Sequence, residues 1–463
     1  MVNFLLPITF FSKTYSYSLA EPMAMISMPV FIIIILIQLF RFPQRLKYII
    51  PSLSAIVLGI TFWLLQLVAM FLSYNVTGES KITAGIIHSS IILGGWNLAI
   101  YVAWAVIQVT VMNEKDEKRF IKSGLVGLSL YLLLIVFPQF LVSFHFRDLV
   151  SYVNGVANVF EERWRTVGGY SMYANGSYVT TQGRVNGLEP ESSYLANLLG
   201  IVYLPILIGL TVAKKNVWNW ISSQKKSVWF NSLLALIVLL VLVLARTTTG
   251  ILTAFVVYIL WIIWSKGKFR ASLLITAISA LILLVAAYMS VPAVHTIFNQ
   301  FIFAKQGTDN RLGGTIALAI TFLQHPILGV GSGFTSYFII QNVPIATTQN
   351  FEFQHLYSQY GFPILSDFLG WLATYGLVIM IPAFYLLFRL ISRDFLSQYR
   401  LKNRDDLNID KSWSRGLHVS FITMIILIAF SSIFIIKIYL WPYLLMFFFY
   451  RKHIMRLEEE LKQ

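Results

Sequence analysis

Two arginines of this 463-residue chain lie between apolar runs, where a guanidinium could bind an anion. Arg246 ends one long apolar run and begins a turn of only a few residues, and Arg311 lies in the longest polar segment. A guanidinium binds two phosphate oxygens at once, and an arginine at a membrane boundary is costly unless an anion pairs with it. For Arg246 the alternative is a side chain that extends to water; for Arg311 it is an ion pair with Asp309.

Carboxylates precede another apolar run in the sequence Glu189-Pro-Glu191-Ser-Ser. Glu191 stands where a helix should begin, so helix capping is one interpretation of it, and Ser192 or a neighbouring serine could also cap. Glu189 precedes the proline and is less easily explained by capping. We therefore predict that Glu189 acts as a general base for a sugar hydroxyl, or as the acceptor that orients it.

Histidines and glycines follow in the second polar segment. His355 lies near the next apolar run and is a second, weaker candidate for the base. His325 precedes a proline and is expected to shape a turn, while Gly329 and Gly331 suit a tight turn with close backbone approach to a ligand. The seven histidines show no metal-ligand spacing and the chain has no cysteine, so we expect no metal site. We expect no other cofactor either.

The elements that position these residues are membrane helices. Hydrophobic residues make up 57% of the chain and charged ones 12%, with a mean hydropathy of +0.72. Runs long enough to span a bilayer recur throughout. The predicted spans are Met23–Phe40, Ile49–Leu72, Ala84–Met112, Gly124–Phe144, Tyr194–Ala213, Val228–Ala245, Gly250–Trp264, Ala271–Val291, Phe368–Phe388, Gly416–Ile435 and Ile438–Phe449. A twelfth arises if the segment Asn3–Phe11 pairs with the first. The fold class is an all-α polytopic membrane protein of about 11–12 transmembrane helices, a single domain over residues 1–463.

Basic residues predict the orientation. The net charge is +15, and 25 of the 35 Lys and Arg fall in alternate short segments and the tail, which are therefore cytoplasmic. This arrangement favours a membrane protein over a nucleic-acid-binding one. The two long polar loops, 145–193 and 291–367, then face outward and carry the candidate residues, with a helix expected from Arg311 into the interface. No small-residue cleavage site follows the first apolar segment, so we expect the first spans to act as signal anchors.

Three segments together resemble the bacterial O-antigen polymerase and O-antigen ligase superfamily, and the polymerase branch more closely. The first runs from Arg184 to Ser193 and carries the glutamates, proline and serines. The second is the arginine turn Leu244–Gly250. The third joins Asn310-Arg311 to His325-Pro-Ile-Leu-Gly-Val-Gly331. Their order, their outward placement and the span count extend the likeness over about the whole chain.

The resemblance implies a substrate and a reaction. Oligosaccharide repeat units carried on undecaprenyl diphosphate would be joined on the outer face of the bacterial cytoplasmic (inner) membrane, giving O-antigen of lipopolysaccharide or a similar surface polysaccharide. Arg246 and Arg311 match family positions thought to hold the diphosphate, and Arg184 is a third candidate for that role. The resemblance also implies a chain-length regulator as a partner, besides membrane lipids.

One departure favours polymerase over ligase. The ligase branch carries a histidine and a small polar residue, then nine residues before a glycine; here that frame reads Leu365-Ser366 and ends at Gly376. Leucine in place of the histidine counts against ligase activity. A flippase or transporter of lipid-linked sugars is the other alternative, but such proteins carry internal repeats and short loops.

Overall fold

A computed structural model describes residues 27–163, 171–292, 308–404, 409–432 and 441–462. Over these ranges the chain is all helical, without strands, and eight helices are long and apolar enough to cross a membrane. The predicted all-α, multi-pass membrane fold is thereby confirmed. The predicted segment Asn3–Phe11, like the first residues of the predicted span Met23–Phe40, lies outside the described residues.

The helices follow the predicted spans closely. The main helices, in chain order, are α1 (Ser27–Arg41), α2 (Leu53–Thr77), α3 (Ile86–Thr110), α4 (Glu114–Ser143), α5 (Val150–Phe160), α6 (Tyr178–Gln182), α7 (Ser192–Val212), α8 (Gln224–Leu244), α9 (Thr248–Trp264), α10 (Gly267–Ser290), α11 (Thr308–Gln324), α12 (Thr335–Asn342), α13 (Asp367–Lys402), α14 (Lys411–Ser432) and α15 (Trp441–Glu460). Of these, α5, α6, α11 and α12 belong to the two long polar loops. Each of the eleven predicted spans overlaps one of these helices. The eight candidate spans are α2, α3, α4, α7, α8, α10, α13 and α14, while α1 and α9 are shorter apolar helices.

Helix α7 forms the centre of the bundle. Its apolar stretch is 94% buried inside the bundle, whereas that of α10 is only 6% buried and is exposed on nearly all sides. The backbones of α7 and α14 approach each other closely at Gly209 and Gly416. A Cβ on Gly209 would lie 2.2 Å from the Gly416 carbonyl oxygen. Small residues permit this contact, as is common where membrane helices pack. The Ser420 hydroxyl also donates to the Pro205 carbonyl at 2.8 Å.

Ion pairs join four of the segments predicted to be cytoplasmic. Asp410 accepts from Lys215 at 2.8 Å and from Lys118 at 3.3 Å. Glu117 is buried and pairs with Arg456 of α15 at 2.9 Å. The segments 113–123, 214–227 and 389–415 and the tail therefore lie on one side of the bundle.

The segment 308–367 and the loop 145–193, which are predicted to face outward and are called the outward loops below, lie in regions that the structure describes in large part. The segment 308–367 contains regular structure that the sequence did not predict in full. The expected helix is present, but α11 begins at Thr308, before Arg311, and α12 follows it as the second arm of a hairpin. The tip of this hairpin passes between membrane helices: Ser73 of α2 donates to the Val330 carbonyl at 2.6 Å, and the Ser332 amide donates to Gln66 at 3.1 Å. Non-helical backbone is tolerated at this depth because protein surrounds it and satisfies its polar groups.

The same tip breaks helix α13. Val330 and Gly331 donate their amides to the carbonyls of Ala373 and Thr374 at 2.8 and 2.9 Å, and the helix amides beyond the break donate back to the tip. Gly376 lies at the break with φ 64° and ψ 176°, a conformation available essentially only to glycine. A Cβ there would lie 2.3 Å from the Ile327 carbonyl oxygen.

Gly376→Ala should therefore destabilise the protein by about 2–3 kcal/mol, through backbone strain and the clash with the hairpin tip. The measurement is thermal unfolding of the purified variants in detergent. Gly59→Ala is the matched control, because Gly59 lies inside α2 with open space around its Cβ position, so alanine there should be neutral or slightly stabilising. Equal unfolding temperatures for the two variants would show that the break does not depend on glycine.

Candidate functional site

Arg246 lies in a strained turn at the outward end of α8. The helix ends at Leu244 and α9 begins at Thr248, with the Thr247 hydroxyl accepting the Gly250 amide at 3.0 Å as an N-cap. Arg246 itself has φ 51°, which costs an L-residue about 1–2 kcal/mol. The turn thus holds an arginine where glycine would be the more stable choice.

The guanidinium of Arg246 contacts the other outward loop. Its Nη1 donates to the Gly183 carbonyl at 3.3 Å, and its Cζ lies 5.8 Å from the centre of the Phe144 ring. Gly183 closes α6 with φ 66° and is followed directly by Arg184. The structure therefore places the Arg246 guanidinium beside the backbone that directly precedes Arg184.

Arg311 lies in the first turns of α11 and faces the same region. The pKa of the Tyr357 hydroxyl is raised by burial and by the Glu352 carboxylate to which it donates at 3.2 Å; Glu191 raises it further and Arg311 lowers it. Tyr357 thus lies within electrostatic range of both Arg311 and Glu191, and it connects the second outward loop with the first.

Tyr178 of the first long loop likewise lies within electrostatic range of Glu191 and of an arginine, Arg184. Burial raises the pKa of its hydroxyl first, Glu191 raises it as well, and Arg184 lowers it. Glu191 therefore lies between two tyrosines, one beside Arg184 and the other beside Arg311. Arg184 and Arg311 are thus linked to this carboxylate through one tyrosine each, and Arg246 contacts the backbone next to Arg184.

Neither Arg246 nor Arg311 forms an ion pair with a carboxylate of the described residues. The expected alternative for Arg311, an ion pair with Asp309, concerns a side chain outside the described part of the structure. Both guanidiniums are only partly buried, so an oxygen-rich anion can reach them from the outward face. Two forked donors of this kind suit a diphosphate.

Glu189 lies in a buried turn beneath this face. Gln139 of α4 clamps the turn in both directions, accepting the Gly187 amide at 2.7 Å and donating to its carbonyl at 2.6 Å. The Tyr131 hydroxyl accepts the Leu188 amide at 3.0 Å. A Cβ on Gly187 would lie 1.9 Å from that hydroxyl oxygen. The position of Glu189 is therefore fixed by contacts with a membrane helix.

Burial raises the pKa of the Glu189 carboxyl from its ordinary value of 4.5 to about 7. The side chain is 4% exposed and lies within electrostatic range of the hydroxyls of Tyr131, Tyr194, Tyr203 and Tyr443. A carboxyl group that titrates near neutrality can take a proton from a reacting hydroxyl and release it again. Glu189 therefore remains a candidate general base.

Two helices beside Glu189 carry π-helical turns. One spans Leu132–Val136, directly after Tyr131, and the other spans Leu198–Tyr203 in α7. Such turns are rare and occur frequently at functional sites, because the extra residue redirects the side chains beside it. Here they adjoin two of the tyrosines that surround the carboxyl group.

Further acidic residues were missed from the sequence. Glu161 and Glu162 are fully or almost fully buried, and Asp367 is 7% exposed at the start of α13. Glu161 accepts from the Asn186 amide group at 2.9 Å and pairs with Arg163 at 3.0 Å, so it supports the Glu189 turn. Glu162 and Asp367 lie within electrostatic range of Tyr194. The sequence did offer one signal for them: Glu161 and Glu162 are adjacent acidic residues in a chain that has only 20 Asp and Glu.

Glu191 occupies the N-cap position of α7, which begins at Ser192, so an acidic residue stands at this helix start as expected. Its side chain makes no capping hydrogen bond. The Glu191 carboxylate lies within electrostatic range of Tyr178 and Tyr357.

The histidines lie apart from the arginines. The His355 ring is exposed, stacks on Phe351 at 4.1 Å and contacts the Phe351 carbonyl at 3.1 Å, within its own helical turn. His325 directly follows α11, and its carbonyl accepts the Gly329 amide at 3.1 Å. Burial lowers the pKa of its ring. Neither ring contacts a candidate substrate-binding arginine.

The glycines Gly329 and Gly331 have positive φ, as a tight turn requires. The close approach that they allow is to the protein itself: their Cβ atoms would lie 2.5 Å from Thr374 and 2.8 Å from the Met70 amide. Beside the Glu189 turn, the Tyr173 hydroxyl donates to the Pro190 carbonyl at 2.9 Å.

No protein-family model matches this chain, and no curated protein matches its sequence. Within the described residues no group of three or more His, Asp or Glu side chains could hold a metal ion. The function proposed below therefore depends on the sequence motifs and on the geometry of the outward site.

Proposed function

We propose that this protein polymerises oligosaccharide repeat units carried on a polyprenyl diphosphate, on the outer face of a bacterial cytoplasmic membrane. One arrangement supports the proposal: Arg246 contacts the first of the two long loops and Arg311 belongs to the second, both without a carboxylate partner among the described residues, and Glu189 is buried in the first loop. Transfer of a sugar chain from a diphosphate to a hydroxyl requires two kinds of group: guanidiniums that bind the diphosphate and a base that is ionised near neutral pH.

The arginines bind the leaving group. When the bond between the anomeric carbon and the diphosphate oxygen breaks, negative charge grows on that oxygen, and guanidiniums fixed beside it stabilise the charge more strongly in the transition state than in the ground state. Arg246 lies next to the backbone of Gly183 and Arg184, so the two arginines can act on one phosphate. Arg311 approaches from the other loop and acts on the second.

Glu189 receives the proton. The hydroxyl oxygen of the incoming unit attacks the anomeric carbon, its proton passes to the ionised Glu189 carboxylate, and the released lipid diphosphate leaves with the bonding electron pair. Attack from the face opposite the leaving group inverts the anomeric centre. His355, the second candidate for the base, is exposed and contacts its own helical turn, which favours Glu189.

The test is a gel profile of surface polysaccharide from cells that lack this protein, with and without the wild-type gene. A polymerase predicts single repeat units on the normal acceptor in the deletion strain and a full ladder after complementation. Long chains that persist on the lipid carrier without reaching the acceptor would instead identify a ligase. Lipid-linked single units retained on the cytoplasmic side would identify a flippase.

The elevated pKa of Glu189 predicts how stability and rate depend on pH. Between pH 4.5 and about 7 the folded protein keeps a proton that the unfolded chain has lost, so the free energy of unfolding should fall as pH rises through this window, by on the order of 3 kcal/mol. The rate of chain growth should rise through the same window as the base ionises.

Glu189→Gln should remove both dependences. Thermal unfolding in detergent from pH 5 to 8 should show a decline for the wild type that the glutamine variant lacks, and transfer should be slow at every pH. A wild-type rate in the glutamine variant would exclude Glu189 as the base and leave it a structural role.

A further inference from the structure

A cavity of about 460 Å³ lies at the end of the bundle where the predicted cytoplasmic segments meet, far from the outward site. This volume lies in the range of small-molecule binding sites. Residues of α1, α3 and the start of α4, with the segment that follows α1, line it: Ile34, Ile37, Gln38, Phe42, Arg45, Thr110, Asp116 and Arg119. The lining is apolar on one side and charged on the other.

The apolar side of the cavity is continuous with the lipid-facing surface of α1. The Ile37 side chain is 45% exposed, Phe42 is 39% exposed and Phe40, beside the opening, is 90% exposed. The short 3₁₀ helix Pro43–Tyr48 follows directly and alternates basic residues with the exposed Leu46. This amphipathic segment has the pattern of one that lies in the membrane interface.

The charged side holds one arginine that is fixed by hydrogen bonds and one that is exposed. Arg45 donates to Gln38 at 2.6 Å and to the Val109 carbonyl at 2.7 Å, and its Cζ lies 4.2 Å from the Phe42 ring centre. Arg119 is 72% exposed and lies 3.8 Å from Asp116, a long and weak pair. One guanidinium is thus pre-positioned at the cavity, and the other can turn toward an anion.

A third cation adds to the positive potential. The Lys452 ammonium donates to the Gln108 carbonyl at 2.6 Å and lies within electrostatic range of Arg45, which repels it. Asp116 and Glu117 offset part of this charge, but Glu117 is already held by Arg456 and Trp413. An anion bound beside Arg45 would reduce the repulsion between the two cations.

We propose that this cavity binds the headgroup of an anionic phospholipid of the inner leaflet. The phosphate contacts Arg45 and Arg119, and an acyl chain runs along Ile34, Ile37 and the lipid-facing surface of α1. Basic pockets between membrane helices on the cytoplasmic side suit such headgroups. The apolar wall that opens to lipid favours a phospholipid over a soluble anion, and the site is independent of the outward arginines.

Native mass spectrometry of the purified full-length protein tests this proposal, with phosphatidylglycerol and phosphatidylcholine as probes. We expect phosphatidylglycerol to bind at least five-fold more tightly than phosphatidylcholine. Because each cation near the surface contributes about five-fold to the affinity for an anionic lipid, Arg119→Ala should lose about that factor. Arg119 is exposed, so this variant should fold, and Arg45→Gln, which keeps a polar side chain there, should lose at least as much.

Lys115→Ala is the matched control, because Lys115 is exposed in the same helical turn but does not line the cavity; its affinity should match that of the wild type. Equal affinities for the two lipids, or equal losses in Arg119→Ala and Lys115→Ala, would overturn the proposal.

A second experiment adds inorganic phosphate to the lipid-bound protein. Displacement of the lipid by phosphate at a similar concentration would reassign the cavity to a soluble anion and overturn the lipid assignment.

Discussion

Arg246→Gly should yield a protein that is more stable than the wild type and nearly inactive in chain growth. Glycine adopts the positive φ of this turn without a steric cost, so the free energy of unfolding should rise by about 1 kcal/mol. The lost guanidinium should lower the rate of polymerisation by about 100-fold or more, the effect of removing one fixed donor from a developing oxyanion. Thermal unfolding and gel analysis of complemented cells measure the two effects.

Lys214→Gly is the matched control, since Lys214 also has a positive φ, 54°, but lies at the opposite end of α7. It should gain similar stability and polymerise normally. Arg246→Lys keeps the positive charge but loses the bidentate guanidinium, so its rate of polymerisation should lie between those of the wild type and Arg246→Gly. If Arg246→Gly polymerised like the wild type, Arg246 would be a side chain that merely extends to water.

Arg311→Ala should have the second large effect, a loss of about 100-fold or more in chain growth with no loss of stability. Alanine is the best helix former, and Arg311 has no carboxylate partner among the described residues, so the variant should be as stable as the wild type or slightly more so. The same gel and unfolding measurements apply.

The control for Arg311 is Arg147→Ala, an exposed arginine of the first outward loop that lies outside the candidate site. Its removal should leave the ladder unchanged and so exclude a general effect of outward positive charge. Normal chain growth in Arg311→Ala would assign this arginine to the folding of its loop and remove it from the substrate site.

Arg246 occupies a position that local stability does not favour, because its backbone takes a conformation suited to glycine. Natural sequences break local rules of this kind mainly where function requires it. This feature accords with the proposed binding of an anion and is independent of the sequence resemblance.

The membrane helices could be predicted from the sequence because long apolar runs have no other stable location. The start of α7 and the turn around Arg246 were also readable, since polar residues interrupt the apolar pattern there. The helix predicted at Arg311 exists, and the structure describes it from Thr308 to Gln324. What these local signals specify is where each span begins and ends, not which loops meet.

The interior of the site could not be predicted because its contacts join residues far apart in the chain. Gln139 and Gly187 are separated by 48 positions, and Tyr131 and Leu188 by 57. A single glutamine or tyrosine within an apolar run gives no indication of its partner. For the same reason the glycines at the hairpin tip suggested a ligand, whereas they allow contact with α13 across the break at Gly376.

The most direct test of the central claim is polymerisation by the purified protein in liposomes supplied only with repeat units on undecaprenyl diphosphate. We predict a ladder of longer lipid-linked chains, with one undecaprenyl diphosphate released for each unit added, and almost none from Arg246→Gly or Arg311→Ala. Repeat units that cross the bilayer without growing, or that remain unchanged with the wild-type protein, would contradict the claim.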